Sequence, residues 1–255
     1  MTAAHRPLVA VDIGNTTVSL GCYEGDDLTA TARIPAADAA DLLNRWPDGF
    51  PSTADLADVV CVGCSVNPAV RARVETALAE GGARLLLVPR DLAVTMEVRL
   101  REPAKIGPDR LVNAYEAYGR IRGALVIVDF GTAVTLDCVS ADGAYLGGSI
   151  APGVRLGIAA LHEHTALLPR IDLPDNPPPL GTDTVTAMQS GVFWGTVGAV
   201  RELLHRERPC FGRDAVVLAT GGDAALFAPH IPEISRVAPH LTLAGLRRIY
   251  LDADP

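Results

Sequence analysis

A chain of 255 residues that is 49% hydrophobic and 20% charged has the make-up of a folded globular protein, one large domain or two of ordinary size. Its formal charge of −8 repels phosphodiester backbones, which argues against nucleic acid as the main partner. No apolar run approaches the roughly 20 residues that cross a bilayer, and Met1-Thr2-Ala3-Ala4-His5-Arg6-Pro7 carries no apolar leader, so a cytoplasmic protein without membrane contact is predicted.

In chain order, Leu8 to Asp12, Val18 to Tyr23 and Leu28 to Ile34 are short apolar runs. Turn residues at Gly14-Asn15 and Glu24-Gly25-Asp26-Asp27 separate them, the pattern of a β-meander. Ala37 to Arg45 has helical spacing and stops before Pro47. Val59 to Cys64 and Arg84 to Val88 are continuous apolar runs, as in buried parallel strands. Pro68 to Ala79 between them reads as a helix ended by Gly81-Gly82, and Leu111 to Ile121 as another. The second half opens with a strand, Ala124 to Asp129, followed by a hairpin partner, Ala133 to Val139, and a third strand around Tyr145. A helix over Gly153 to Leu168, a proline-rich loop over Ile171 to Leu180 and a long helix over Thr184 to Arg206 come next. Ala215 to Thr220 is a strand and Leu241 to Leu251 a closing helix. Both halves therefore read as three antiparallel strands, then alternating helices and strands.

Several chemistries are absent. Lys105 is the only lysine and Ile106 follows it, so no G-x-x-x-x-G-K-[ST] phosphate loop exists and any polyphosphate must be held another way. No G-x-S-x-G elbow or H-E-x-x-H helix occurs, and His162 and His164 have the wrong spacing for one helical face. The cysteines Cys22, Cys61, Cys64, Cys138 and Cys210 read as reduced thiols. Cys61 and Cys64 lie three apart in a strand-like run and so face opposite ways, which predicts core packing, not a metal site.

The two halves also share letters. Val11-Asp12-Ile13-Gly14-Asn15-Thr16 matches Val128-Asp129-Phe130-Gly131-Thr132-Ala133, each at the end of an apolar strand and opening a hairpin. We read this as an internal duplication. A tight turn after a buried strand gathers backbone N–H groups into an anion-binding hollow, and glycine lets the main chain approach a phosphate. Carboxylates beside phosphates need a cation between them, so Asp12 and Asp129 imply bound metal, Mg²⁺ being the natural companion of a nucleotide. One such turn alone reads as an ordinary hairpin with Asp and Asn capping backbone groups; two at matching places read as a site. Gly107-Pro108-Asp109-Arg110 offers a carboxylate to accept a hydroxyl proton beside a positive charge, and equally a plain helix cap. Gly181-Thr182-Asp183-Thr184 has the look of a capped helix start, and Ala219-Thr220-Gly221-Gly222-Asp223 follows a strand at the edge of an α/β sheet where ligands bind, a place where a purely structural turn would look the same.

The ordered set of motifs resembles type III pantothenate kinase, within the superfamily of actin-like ATPases and sugar kinases. It comprises D-I-G-N-T at 12–16, S-V-x-P at 65–68, G-P-D-R at 107–110, D-F-G-T-A at 129–133 and G-G-S-I-A-P-G at 147–153, then T-A-L-L-P at 165–169. G-T-D-T at 181–184, S-G-V at 190–192, T-G-G-D at 220–223 and L-T-L-x-G-L at 241–246 complete it, covering nearly the whole chain. The resemblance implies an α/β fold of duplicated ribonuclease H-like (actin-like) domains, 1–121 and 122–255, with mixed sheets flanked by helices and a nucleotide cleft between the halves. It implies that Asp12, Ile13, Gly14, Asn15, Thr16, Thr17, Val18 and Ser19 bind ATP and its Mg²⁺, with Gly131 and Thr132 also on ATP. Asp129 would hold a monovalent cation, K⁺ or NH₄⁺. Gly107, Pro108, Asp109, Arg110 and Thr184 would hold pantothenate, Asp109 as general base, in a homodimer whose pocket is completed at the subunit interface. Leu100 stands in Val98-Arg99-Leu100-Arg101, where many members carry a tyrosine lining that pocket. Two other readings remain: an actin-like ATP-binding protein acting on another small molecule or as a phosphatase, and a catalytically silent regulatory paralogue.

Overall fold

In the computed structural model, residues 6–212 and 214–253 are described; the opening Met1–His5, part of the stretch read as lacking a leader, lies outside them. The chain forms two units, one of residues 1–96, 102–116 and 241–255, the other of 97–101 and 117–240.

The first unit is built on five strands, β1 (Leu8–Ile13), β2 (Thr17–Glu24), β3 (Asp27–Pro35), β4 (Val60–Ser65) and β5 (Leu85–Leu87), in the order β3-β2-β1-β4-β5. β1–β2 and β2–β3 run antiparallel, whereas β1–β4 and β4–β5 run parallel. β1 is buried on both faces, which explains its near-continuous apolar run. Val9, Val11 and Ile13 join one core with α1 (Pro68–Glu80), through Val70, Val74 and Leu78. Leu8 and Ala10 join a second with α6 (Leu241–Asp252), through Leu243, Leu246 and Ile249.

Ala37 to Arg45 departs from the expected α-helix. Ala36–Asp41 is a 3-10 helix that breaks into turns, because Pro35 offers it no capping side chain and one short turn cannot repay helix nucleation.

The second unit repeats the plan. Its strands are β6 (Leu125–Phe130), β7 (Ala133–Val139), β8 (Tyr145–Pro152), β9 (Val216–Thr220) and β10 (Arg236–Val237), in the order β8-β7-β6-β9-β10. Pairing is again antiparallel for the first three and parallel beyond β6. Its core joins Val126, Val128, Phe130 and Leu136 to α3 (Val154–Glu163), α4 (Thr184–Phe211) and α5 (Ala224–Phe227), with Phe130 and Phe227 stacked at 5.3 Å. α3 ends earlier than expected, where the Thr165 hydroxyl donates to Leu161 O at 2.8 Å. α4 runs past Arg206 to Phe211, and Gly212 (φ 92°) turns the chain away. Among the described residues, no helix is long and apolar enough to cross a membrane.

α6 meets α2 (Pro108–Ile121) inside the first unit at Gly245. A Cβ there would lie 2.6 Å from Val112 Cγ1 and 2.7 Å from Val112 O. Thr242 donates to Asn113 Oδ1 at 2.8 Å on one side of this contact, and Arg248 pairs with Glu116 on the other. Gly245→Ala should therefore destabilise the protein by about 1–3 kcal/mol through overpacking. Gly157→Ala, in α3 with nothing within 4 Å of the new methyl, should be neutral or stabilising by about 0.5–1 kcal/mol. Urea unfolding of both variants checks the pair, and equal midpoints would refute the close helix contact.

Candidate active site

The first turn hangs from the end of β1. Gly14 N–H donates to Thr17 O at 2.9 Å, closing a loop whose Asn15, Thr16 and Thr17 are exposed. Ile13 and Val18 at its base point into the core, so only their backbone is available to a ligand, while Ser19 is half-buried. Two clasps hold the loop. Ala36 N–H, just beyond β3, donates to Thr16 O at 2.9 Å. Asn67 donates through Nδ2 to Asn15 Oδ1 at 3.3 Å, while its own Oδ1 caps α1 by accepting from Ala69 and Val70 N–H at 3.1 Å. Ser65 braces Asn67 from below, its hydroxyl accepting from Asn67 N–H at 3.1 Å. The S-V-N-P stretch thus ties a helix N-terminus to the turn.

Strand register sets Asp12 between Cys64 of β4 and Ser19 of β2, and Ser19 opposite Arg33 of β3. Directly opposed residues share a face, so Cys64, Asp12, Ser19 and Arg33 form one row. The Cys64 thiol donates to Asp12 Oδ1 at 3.7 Å. Cys61 and Cys64 do face opposite ways, into the two separate cores, but Cys64 also touches the candidate metal ligand, which packing alone does not describe.

Asp109 stands close enough to Asp12 for its charge to be felt. Burial and that charge together push the Asp12 carboxyl up to about 7, against the Cys64 hydrogen bond and the Arg33 charge, which pull it down. Burial likewise raises Asp109, opposed by the Arg110 N–H and the Arg110 charge. Burial, then the two carboxylates, hold the Cys64 thiol well above its usual range. α2 begins at Pro108, so Asp109 sits inside the first helical turn, two residues past the place of a cap, and its Oδ1 accepts from Arg110 N–H at 2.8 Å. Gly107 makes room for it: a Cβ there would come 2.6 Å from that oxygen.

The second turn sits in the other unit. Gly131 N–H donates to Ala133 O at 3.1 Å, leaving Thr132 exposed at the tip, and Gly153 N–H donates to Thr132 O at 3.1 Å. This last bond is the counterpart of Ala36 to Thr16, since each donor follows the proline that ends its third strand, Pro35 or Pro152. Asp129 Oδ1 lies so close under the T-G-G-D turn that a Cβ on Gly221 (φ 93°) would approach it to 2.3 Å. Register places Thr220, Asp129, Thr135 and Ile150 in one row, position for position the equivalent of the row through Asp12.

Thr184 is the exposed first residue of α4, and Asp183 supplies the cap, its Oδ1 accepting from Thr186 N–H at 2.9 Å in a capping box. Leu100 lies over Gly147, whose Cβ position is 3.2 Å from its methyl.

Sequence reasoning missed Asn67 as a clasp and Cys64 as a partner of Asp12. Both had a signal: Asn before Pro marks a helix start, and parallel strands side by side align their carboxyl ends.

The raised Asp12 carboxyl has a measurable consequence. Its folded value of about 7 exceeds the unfolded value of 3.8, so the folded state binds the extra proton between them. Stability is then highest below that window and falls as pH rises through about 7. Asp12→Asn should raise the melting temperature at pH 8, about 2–4 °C for each kcal/mol relieved, and the gain should vanish near pH 4–5, as calorimetry across that range will show.

A family model described as type III pantothenate kinase matches residues 8–206. The type III pantothenate kinase of Dehalococcoides mccartyi (strain CBDB1) is 39% identical over 255 residues, covering 97% of each chain. That of Ruegeria sp. (strain TM1040) is 38% identical over 249 residues, covering 95% of this chain and 96% of the relative. Among solved structures, component A of the (R)-2-hydroxyglutaryl-CoA dehydratase of Acidaminococcus fermentans matches with a TM-score of 0.54 at 14% identity, covering 98% of this chain and 100% of that one. That likeness concerns the fold alone, and with the repeated strand order it gives duplicated ribonuclease H-like domains of the actin-like class. By family model and by identity along its length, the chain belongs to the type III pantothenate kinase family.

Proposed function

We propose that the chain transfers the γ-phosphoryl group of ATP to the primary hydroxyl of pantothenate, forming 4′-phosphopantothenate for coenzyme A synthesis in the cytoplasm. The observation that carries this reading is the half-buried pair of carboxylates, Asp12 at a strand end and Asp109 in the first turn of α2, each raised by loss of solvent around it. A carboxylate whose proton affinity is raised by burial is suited to taking a hydroxyl proton. Asp109 accepts that proton as the hydroxyl oxygen forms its bond to phosphorus, and the bond to the ADP oxygen breaks. Arg110 places positive charge beside an anionic substrate, and Gly107, Pro108 and Thr184 belong to the same substrate set.

Asp12 to Ser19 take the triphosphate, with Gly131 and Thr132 as further ATP contacts. Asp12 fits a Mg²⁺ that arrives with the nucleotide. Its charge is costly where it stands, and among the described residues no group of three or more His, Cys, Asp or Glu forms a self-sufficient metal cage. Such an ion draws most of its ligands from phosphate and water. It would neutralise the charge that develops on the phosphate oxygens. Asp129, its oxygen held under Gly221 where a Cβ would otherwise stand, fits a monovalent cation. A homodimer belongs to the same reading, supported by Ile150 and Leu156 at 66% and 50% exposure on β8 and α3.

A regulatory paralogue is disfavoured by the presence of Asp12, Asp109 and Asp129 together. A coupled assay for ADP release, with and without pantothenate, in K⁺ and then Na⁺ buffer, tests the whole reading. Turnover should require pantothenate and K⁺; ATP hydrolysis indifferent to pantothenate would refute it. Asp109→Asn should cost about 10²–10⁴ in kcat while ATP binding stays within a few-fold of wild type by calorimetry. Asp129→Ala should lose the K⁺ response, and an undiminished response would move the cation elsewhere.

A further inference from the structure

With one lysine in the chain and no lysine-bearing phosphate loop, the charge opposite a triphosphate has to come from arginine or metal. The row across the first sheet supplies a candidate. Arg33 lies opposite Ser19, which lies opposite Asp12. Two strand spacings put its Cα about 10 Å from that of Asp12 on the same face, a gap its long side chain can lean across. Along the strand it is two residues from Pro35, which pairs with Thr17 at the rim of the turn, about 7 Å away. The side chain is exposed, and among the described residues no carboxylate forms an ion pair with it. Its charge nevertheless reaches Asp12 and draws that carboxyl down.

The duplication provides an internal control. At the equivalent position of the second sheet stands Ile150, opposite Thr135 and one pairing from Asp129. The guanidinium is therefore no requirement of the fold, and it occurs on the unit that also carries Asp12 and Asp109. The competing explanation is that Arg33 is a solvated charge on an edge strand, where such charges discourage unwanted pairing.

We propose that Arg33 is a substrate-contacting residue that binds the terminal phosphates of ATP, supplying the fixed positive charge that lysine supplies in phosphate loops of the G-K-[ST] kind. This rests on the reading that the Gly14–Thr17 turn receives ATP. The guanidinium fork suits phosphate oxygens in a way that an ammonium point charge does not.

Calorimetric titration of the full chain with Mg-ATP, and with AMP, separates the possibilities. Arg33→Ala should weaken ATP about tenfold or more and leave AMP unchanged, and Arg33→Lys should recover part of the loss. In the coupled assay the KM for ATP should rise while that for pantothenate holds. If wild type binds ATP and Arg33→Ala binds it equally well with an unchanged melting temperature, Arg33 is an edge-strand charge and the proposal falls alone. If wild type binds no ATP, the nucleotide reading falls and Arg33 with it.

Discussion

Two carboxylates inside one unit, Asp12 and Asp109, repel each other in a setting where burial already disfavours their charge. The surroundings relieve this only in part, by a weak thiol hydrogen bond and the Arg33 charge for Asp12, and by the Arg110 N–H and its charge for Asp109. What surrounds them can be understood as the means of holding that uneasy pair in place. β1 and β4 end side by side to present Asp12 and Cys64, Gly107 opens room for Asp109, and α6 fixes α2 from behind at Gly245.

Repetition of the plan extends to single hydrogen bonds. In each unit a hairpin tip accepts a bond from the residue that follows a terminal proline, Ala36 after Pro35 and Gly153 after Pro152. Proline has no N–H and cannot extend the strand ladder, so the chain turns there and its next N–H is aimed at the loop. The carboxylates occupy equivalent register positions, yet their rows diverge: Cys64, Ser19 and Arg33 flank Asp12, while Thr220, Thr135 and Ile150 flank Asp129. One architecture, used twice, has been given different chemistry by side chains alone.

Much of this was legible beforehand, and for identifiable reasons. The buried strands announce themselves because β1, β4 and β6 are apolar on both faces, and Asn67-Pro68 marks the start of α1 by local chemistry. The two turns were visible because glycine and aspartate recur at the same offset from a strand. Ala36–Asp41 misled because its alanines have helical spacing, while tertiary packing of Ala36 and Ala39 tolerates a tighter, shorter coil. β10 has only two residues, too few for any period. The docking of α6 on β1, and with it the function of Gly245, depends on partners more than a hundred residues away, which no local window can sense. Cys64 reads as a core thiol until the register of β1 against β4 is known.

The bonds from Ala36 and Gly153 to the hairpin tips also govern where this architecture can vary. A loop whose middle carbonyl is anchored from outside tolerates neither an inserted nor a deleted residue without losing its anchor. Length change is therefore channelled into the crossovers that lead from the third strand to the fourth. The two units already differ there: the first passes from Pro35 to Val60 through 3-10 turns, whereas the second passes from Pro152 to Val216 through α3 and α4. New surface and new specificity can accumulate in those segments while the turns themselves stay at a constant size.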